Sequence, residues 1–363
     1  MARKKIDHAL LGAAFVIIII GLVALLSASN SESQRNLEKV YGYFAHQIFW
    51  GIGLGLVAGF ITYKIPYKKF RTFALPILLV SVFFLILVFI PSLSLEVSGA
   101  RRWINVFGFS FQPSEFAKLS VIIYLAAWLE ARHSNVKRFS AGLIPFLIIV
   151  GITGGLIILQ PDIGTFAVLA LISASLFFVS GAGILHMGML GILGATLLFL
   201  LIKLEPYRMA RLISLLDNSK DPFGISYQIN QAMLAIGSGG LLGIGLGKSV
   251  QGGIFLPESM KDSIFAVWAQ ELGFLGVALL IAVFLFFAFK GFRIAKNAKD
   301  RFGKLLACGI TCWIVIQAFI NIGSMIGLLP LTGIPLPFVS YGGSSMVATM
   351  AGLGILLNIS KHT

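Results

Sequence analysis

The stretch from Ala9 to Ala28 reads ALLGAAFVIIIIGLVALLSA and contains no charged residue. At a rise of about 1.5 Å per residue, a helix of about 20 residues covers roughly 30 Å, the thickness of the hydrocarbon core of a membrane. Similar runs recur along the chain, because hydrophobic residues make up 58% of the 363 residues and charged residues only 12%. A charged share about half that of soluble proteins excludes a soluble globular fold. The runs are also too long and too uniformly apolar for an outer-membrane barrel.

The apolar runs predict an all-α, polytopic integral membrane protein with ten transmembrane helices in a single domain that covers residues 1–363. Both termini are predicted to be cytoplasmic, and a large extracytoplasmic loop, residues 203–263, joins helices 7 and 8. The predicted spans are 9–28, 44–62, 72–90, 114–130, 141–158, 163–180, 183–202, 264–289, 304–328 and 342–359.

The distribution of positive charge predicts the orientation in the membrane. With the N-terminus inside, the predicted inside segments, counted with the border residues Glu130 and Lys304, hold 17 Lys and Arg residues and three acidic residues. The rest of the chain holds 11 of each. The whole net charge of +14 therefore lies on one side, as the positive-inside rule expects. The charge indicates membrane topology, so no nucleic-acid partner is expected.

One glycine-rich motif resembles a nucleotide-binding loop. Residues 243–249 read GIGLGKS, but position 242 is Leu where a P-loop requires Gly, and no strand precedes the motif. The motif also lies on the predicted outer side, where nucleotide is scarce. We therefore expect a glycine-rich external turn and no nucleotide cofactor.

Charged side chains in or against a membrane are costly, so those present are functional candidates. Glu115 and Lys118 lie three residues apart just inside the fourth span, which puts them on one face of a helix. They form either a structural ion pair or part of a functional site. Arg101 and Arg102 precede Trp103 on the predicted outer side, where interfacial anchors would look similar.

Two aspartates stand where an outer connection meets a span. Asp162 lies between Pro161 and the sixth span, and it would serve equally well as a helix N-cap. Asp262 lies at the end of the long outer loop, just before the eighth span, beside apolar residues that would partly desolvate its carboxylate and strengthen it as a base. Capping of the eighth helix is the alternative role for Asp262. Glu271, about 13 Å deeper along that helix, is expected to be a buried structural charge.

Six motifs occur in order along the whole chain and together resemble the SEDS family (shape, elongation, division and sporulation). They are GARRWI at 99–104, QPSEFAK at 112–118, QPDIGT at 160–165, YQ at 227–228 with AIGSGG at 235–240, LPE at 256–258 with DSIFA at 262–266, and PLPFVSYGGSS at 335–345. The chain is similar to the family in every one of them. One departure is Gln270 before Glu271, where many members of the family have a second acid.

The resemblance implies a peptidoglycan glycosyltransferase that polymerises lipid II at the outer face of the bacterial cytoplasmic membrane. It implies that Asp262 is the essential catalytic residue and that Trp103 and Glu115 are functionally sensitive. We expect Asp262 to act as general base, and the basic residues Arg101, Arg102 and Lys118 to hold the pyrophosphate leaving group, with Asp162 near the substrate. A divalent cation, Mg or Mn, is an expected cofactor.

The resemblance also implies partners. These are lipid II itself, a class B penicillin-binding protein transpeptidase, and other membrane proteins of the divisome or elongasome. Ser27-Ala28-Ser29 at the end of the first span favours an FtsW-type member. The alternative function is a lipid II flippase or transporter without glycosyl transfer, for which Gln317, Asn321 and Ser324 would form a polar path through the membrane.

Overall fold

The computed structural model describes residues 6–32, 37–97, 100–106, 109–204, 209, 225–249 and 256–363. Residues 1–5 of the first predicted inside segment, and residues 205–208, 210–224 and 250–255 of the predicted outer loop, lie outside the described residues. The helices are α1 His8–Glu32, α2 Leu37–His46, α3 Leu54–Lys64, α4 Tyr67–Thr72, α5 Ala74–Leu87, α6 Pro113–Ala131, α7 Ile144–Leu159, α8 Ile163–Val179, α9 Ile184–Lys203, α10 Ile225–Ser238, α11 Ile264–Asn297, α12 Arg301–Met325 and α13 Gly343–Ser360.

Every predicted span lies in helical structure. The second runs from α2 through a π-helix, Gln47–Gly53, into α3, and the fifth begins in another π-helix, Phe139–Leu143, before α7. Not every helix is long enough to be assigned as a span by length and composition alone. Seven helical segments within the described residues meet that criterion, and Ala74–Leu87 and Ile163–Val179 are shorter apolar helices. The fourth predicted span corresponds to α6, whose first turns contain Glu115 and Lys118. The polytopic helical fold is confirmed, while the count of ten spans stays a prediction.

The connection between α5 and α6, which is predicted to lie on the outer side, contains a small sheet that was not predicted from the sequence. Strands β1 Ser94–Val97, β2 Ala100–Val106 and β3 Phe109–Phe111 pair antiparallel in that order. Aromatic and β-branched residues favour strands, and here they occur in runs too short to stand out from the neighbouring apolar spans. The sheet rests on α6 through Phe111, whose ring stacks on that of Phe116 with a centroid distance of 4.8 Å.

Helices α12 and α13 lie at the centre of the bundle, and α9 lies at its edge with most of its apolar side chains exposed. The two ends of the chain meet on one side: the Asp7 N–H donates to Ser360 Oγ at 3.2 Å. On the same side Lys290 Nζ lies 3.7 Å from Asp7 Oδ2. These contacts bring both termini and a predicted basic connection together, as expected for termini on one face of the membrane.

Helix α11 is interrupted at Gly273, whose φ of 61° and ψ of −160° are not helical. The glycine-rich turn at residues 239–247 packs against the break. The N–H groups of Ile244 and Gly245 donate to the carbonyls of residues 270–271, at 3.1 and 3.0 Å. Backbone groups released by a broken helix need such internal partners within a membrane. The P-loop-like motif is therefore the partner of a helix break, and it is a turn as expected.

Close approach of the two backbones requires glycine at position 243. Gly243 has a φ of +80°, and a β-carbon there would lie 2.0 Å from the Glu271 carbonyl oxygen. Gly247 has a similar φ of +75° but has nothing within 4 Å of its β-carbon position. The two glycines thus differ in packing while sharing the same backbone conformation.

We expect Gly243→Ala to lower the free energy of unfolding by about 3 kcal/mol, because it adds a steric clash to a left-handed conformation. The matched control Gly247→Ala should cost only about 1 kcal/mol, the cost of the conformation by itself. The midpoints of thermal denaturation of the purified proteins in detergent measure both effects. Equal shifts for the two variants would show that the turn does not dock on α11.

Candidate active site

Asp262 lies in a tight turn, residues 256–263, directly before α11. The Glu258 carbonyl accepts hydrogen bonds from the N–H groups of Lys261 at 2.9 Å and Ser263 at 3.2 Å. Glu258 adopts a φ of +52°, which is unusual for a residue other than glycine. Ser263 is the N-cap of α11, and its side chain makes no capping hydrogen bond. The N-cap position of α11 is thus occupied by Ser263, and Asp262 lies one residue before it.

The Asp262 carboxylate is nearly buried, since the residue is only 6% exposed. Gln228 on α10 approaches it, with Nε2 at 3.3 Å from both carboxylate oxygens, and donates to Ser263 Oγ at 2.9 Å. Residues 329–342, which connect α12 to α13 on the predicted outer side and form the outer segment, pass on another side of the carboxylate. A β-carbon at Gly333 would lie 3.9 Å from Asp262 Oδ2. The carboxylate is thus held between α10 and the outer segment, beside a residue without a side chain.

The outer segment is tied to the turn that carries Asp262. The Tyr341 N–H donates to the Met260 carbonyl at 2.9 Å, and Ser340 Oγ donates to the Lys261 carbonyl at 2.5 Å. Burial, with a smaller contribution from Tyr43, raises the pKa of Tyr341 above its usual value. Its phenol is therefore neutral at physiological pH and adds no charge beside the site.

Glu115 and Lys118 form a buried ion pair at the start of α6. Lys118 Nζ lies 2.7 Å from Glu115 Oε1, and the side chains are 0% and 1% exposed for Lys118 and Glu115. The same ammonium donates to Gln317 Oε1 at 2.7 Å and lies 5.4 Å from the centroid of the Trp313 ring. The two charges are therefore paired inside the protein, although the second carboxylate oxygen, Glu115 Oε2, is buried without a hydrogen-bond partner. Lys118 has no surface from which to reach a substrate in this conformation.

Two amides on α12 connect the ion pair with the turn that carries Asp262. Gln317 Nε2 donates to the Pro335 carbonyl at 2.9 Å. One helical turn further, Asn321 Nδ2 donates to the carbonyls of Asp262 and Ile334, each at 2.8 Å. The structure therefore brings Glu115, Lys118 and Asp262 into one hydrogen-bonded network, although they come from distant parts of the sequence.

Arg102 and Asp162 meet at the short connection between α7 and α8. Arg102 Nε donates to the Gln160 carbonyl at 3.2 Å, and its Nη2 donates to the Pro161 carbonyl. Asp162 is the N-cap of α8, and its oxygens accept from the Thr165 N–H at 3.0 Å and Thr165 Oγ1 at 2.9 Å. Asp162 therefore caps the N-terminus of α8, which is the alternative role considered for it. Arg102 is bonded to the two residues that precede Asp162.

Arg101 and Trp103 lie on strand β2 of the small sheet. Arg101 Nε lies 3.3 Å from Glu96 Oε2 on β1, and its side chain is 46% exposed. Trp103 pairs with Leu95 across the same two strands and is half-buried. Of the three predicted cations, Arg101 has the side chain most accessible to an anionic ligand.

The α10 and α12 amides were not predicted as parts of the site. Gln228 appeared only within a motif, and Gln317 and Asn321 appeared as polar residues in an apolar span. Buried amides at a helical spacing of four residues were the available signal, since they share one face of a helix. What they bind was not readable, because their partners lie on loops whose positions depend on tertiary packing.

Glu271 is fully buried and lies apart from this network, at the break in α11. Its Oε1 accepts hydrogen bonds from Ser27 Oγ and, at 3.2 Å, from the Gly247 N–H. The glutamate thus joins α1, the glycine-rich turn and α11. This agrees with the expectation of a buried structural charge.

Comparisons with known proteins place the chain in a family. Residues 7–363 match the FtsW/RodA/SpoVE family model, described as "Cell cycle protein". The chain is 39% identical to stage V sporulation protein E of Bacillus subtilis over 365 residues, which covers 100% of both chains. It is 36% identical to a probable peptidoglycan glycosyltransferase FtsW of Geobacter sulfurreducens over 360 residues, with 99% and 96% covered.

Solved structures show the same fold. A chain from the structure described as "Structural coordination of polymerization and crosslinking by a peptidoglycan synthase complex" matches with a TM-score of 0.80 at 30% identity, covering 98% of each chain. The rod shape determining protein RodA of Thermus thermophilus matches with a TM-score of 0.72 at 28% identity, covering 98% of this chain and 97% of that one. The family resemblance inferred from the six motifs is thereby confirmed. The chain belongs to the FtsW/RodA/SpoVE family of cell cycle proteins, and within that family it is FtsW-like.

Proposed function

We propose that this protein is a peptidoglycan glycosyltransferase that polymerises lipid II at the outer face of the bacterial cytoplasmic membrane. The observation that carries the proposal is a nearly buried carboxylate, Asp262, held by Gln228 at the N-terminal end of α11. A relative named as a probable peptidoglycan glycosyltransferase, with 99% of this chain aligned, supports the reaction class.

In the proposed reaction, the 4-hydroxyl of one sugar attacks the anomeric carbon of another. A carbon–oxygen bond forms there while the bond to undecaprenyl pyrophosphate breaks, and the hydroxyl proton passes to Asp262. A base within hydrogen-bond distance of the hydroxyl typically contributes 10²- to 10⁴-fold in rate. Gln228 is suited to orienting the Asp262 carboxylate, because its amide N–H donates to the carboxylate and cannot accept the proton.

Positive charge is needed where the pyrophosphate leaves. We propose that Arg101, with an accessible guanidinium, contacts it directly, and that Arg102 contributes from the loop it holds. Trp103 would form the wall of this donor site beside the two arginines. Lys118 and Glu115 would act through the network of α12, because their charges are buried. Asp162 would act by holding the N-terminus of α8 near the substrate.

The proposal keeps the predicted divalent cation, Mg or Mn, but assigns no protein ligands to it. Within the described residues, no group of three or more His, Cys, Asp or Glu side chains converges on a point where a metal ion could bind. We therefore derive no step through a protein-held cation.

We propose a class B penicillin-binding protein transpeptidase as partner, together with other divisome or elongasome membrane proteins. The support is the similarity to a chain from a peptidoglycan synthase complex in which polymerisation and crosslinking are coordinated. The flippase alternative loses support from α12, because Gln317 and Asn321 are engaged with protein partners and Ser324 Oγ donates to the Asn321 carbonyl at 2.8 Å.

The purified protein, with and without a class B partner, should convert detergent-solubilised lipid II into glycan strands. Detergent removes the two compartments that a flippase needs, so only a polymerase lengthens glycans in this assay. Strand length on a denaturing gel is the readout. Unchanged lipid II in both samples, from protein that is folded by size-exclusion chromatography, would contradict the proposal.

A further inference from the structure

We infer that Gln317 and Asn321 of α12 are positioning residues that hold Asp262 and the outer segment in the geometry needed for reaction. Both side chains are fully buried, at 0% and 1% exposed. They lie one turn apart and donate to consecutive carbonyls of the outer segment, those of Ile334 and Pro335. The inference rests on the proposed function, because it takes Asp262 as the base.

The orientation of the Asn321 amide follows from its partners. Two carbonyl oxygens, of Asp262 and Ile334, both lie 2.8 Å from Nδ2. Only the NH₂ group can face two acceptors, so the amide cannot turn over without losing both hydrogen bonds. One side chain therefore fixes the backbone of the base to the outer segment. Both N–H donors of the amide are used in doing so.

Gln317 uses both ends of its amide in the same way. Its Oε1 accepts from Lys118 Nζ at 2.7 Å and from Trp313 Nε1 at 2.8 Å, while Nε2 donates to the Pro335 carbonyl. The ammonium of Lys118 polarises the amide and keeps its oxygen turned inward. The buried ion pair of α6 thus determines which end of Gln317 meets the outer segment.

The consequence for the base comes through Gly333. This residue precedes Ile334 and Pro335, whose carbonyls are bonded to α12, and it has a φ of +69°. A β-carbon placed on it would lie 3.9 Å from Asp262 Oδ2. Any shift of the Gln317 or Asn321 side chain would move Gly333 relative to the carboxylate. A displacement of about 1 Å at a reacting group can cost 10²-fold in rate. Gln317 and Asn321 would therefore affect turnover more than substrate binding.

The test compares buried asparagines on α12 and α13. Asn321→Leu removes the donor to Asp262 while keeping the size of the side chain. Asn358→Leu is the matched control, because Asn358 is also buried, donates to the Tyr63 carbonyl at 2.6 Å and accepts from the Tyr67 N–H at 2.9 Å. Its contacts lie at the opposite end of the molecule, beside the chain termini.

We expect Asn321→Leu to lower kcat for lipid II polymerisation about 10²-fold with KM within about threefold of wild type. Asn321→Ser, which retains one donor, should recover part of the rate. Asn358→Leu should lose a similar amount of thermal stability but keep its kcat per folded molecule. Equal losses of kcat in Asn321→Leu and Asn358→Leu would show that Asn321 contributes only to the stability of the fold, and would overturn the inference.

Gln317→Glu provides a second variant if Asn321→Leu does not fold. It keeps the acceptors for Lys118 and Trp313 but turns a carboxylate oxygen, in place of a donor, toward the Pro335 carbonyl. We therefore expect a loss of kcat per folded molecule, together with some loss of thermal stability from the buried charge. Wild-type kcat in this variant and in Asn321→Ser would overturn the inference about α12 but not the assignment of Asp262 as the base. Activity in Asp262→Asn would instead overturn the catalytic assignment, and the inference would fail with it.

Discussion

Asp262→Asn is expected to lower lipid II polymerisation by about 10³-fold, within the range that general-base catalysis contributes. Asparagine has nearly the same size and leaves the backbone carbonyl of residue 262 bonded to Asn321. The variant should therefore fold, because the substitution removes only the ability to take up a proton and one of the two oxygens that face Gln228 Nε2. Strand synthesis by purified protein in detergent measures the effect, normalised to the monodisperse fraction.

Asp300→Asn is the matched control for that experiment. Asp300 caps α12 on the side of the chain termini, with Oδ1 accepting from the Gly303 N–H at 2.8 Å, and asparagine caps helices equally well. We expect its activity to be within about twofold of wild type. If Asp262→Asn keeps its activity within tenfold of wild type, the carboxylate is not the base.

Lys118→Met is expected to lower the free energy of unfolding by about 3 to 5 kcal/mol, because it leaves Glu115 as an uncompensated buried charge. The pair is almost wholly excluded from solvent, and Gln317 loses a donor in the same substitution. The double variant Glu115→Gln with Lys118→Met should recover most of this loss. The midpoint of thermal denaturation in detergent measures each variant.

The exposed Lys68 provides the comparison for a surface charge. Its Nζ lies 3.9 Å from Asp300 Oδ2 and its side chain is 73% exposed, so Lys68→Met should change stability little. A double variant as unstable as Lys118→Met would show that the lost contacts to Gln317 and Trp313, rather than the charge of Glu115, cause the effect. A single variant as stable as wild type would show that the buried pair contributes nothing.

The positions of the helices were predictable because they depend on local composition. A run of about 20 apolar residues must form a helix in a membrane, whatever lies next to it, since its backbone groups need partners within the segment. The N-cap at Asp162 was also a local matter, because its acceptor bonds reach only three residues ahead. The three-stranded sheet at 94–111 was missed because its strands are only four, seven and three residues long, too short for a clear alternating pattern.

The arrangement of the candidate site required contacts between distant parts of the chain. Lys118 was predicted as a ligand of the leaving group, but it is buried and bonded to Gln317, 199 residues away in the sequence. The glycine-rich turn was expected to be an external turn, and its docking on the break at Gly273 was not predicted. No periodicity in the sequence reports such pairings.

The sequence alone was enough to predict the polytopic helical fold, an orientation from the positive charges, and the family. It also identified Asp262 as the candidate base. All of these follow from composition or from short motifs, because hydropathy and charge act on each segment separately. Which side chains surround that aspartate was decided only by the folded chain. Burying a polar group requires a partner, and in this protein the partners of Glu115, Lys118 and Asp262 come from helices and loops that meet only when the bundle is packed.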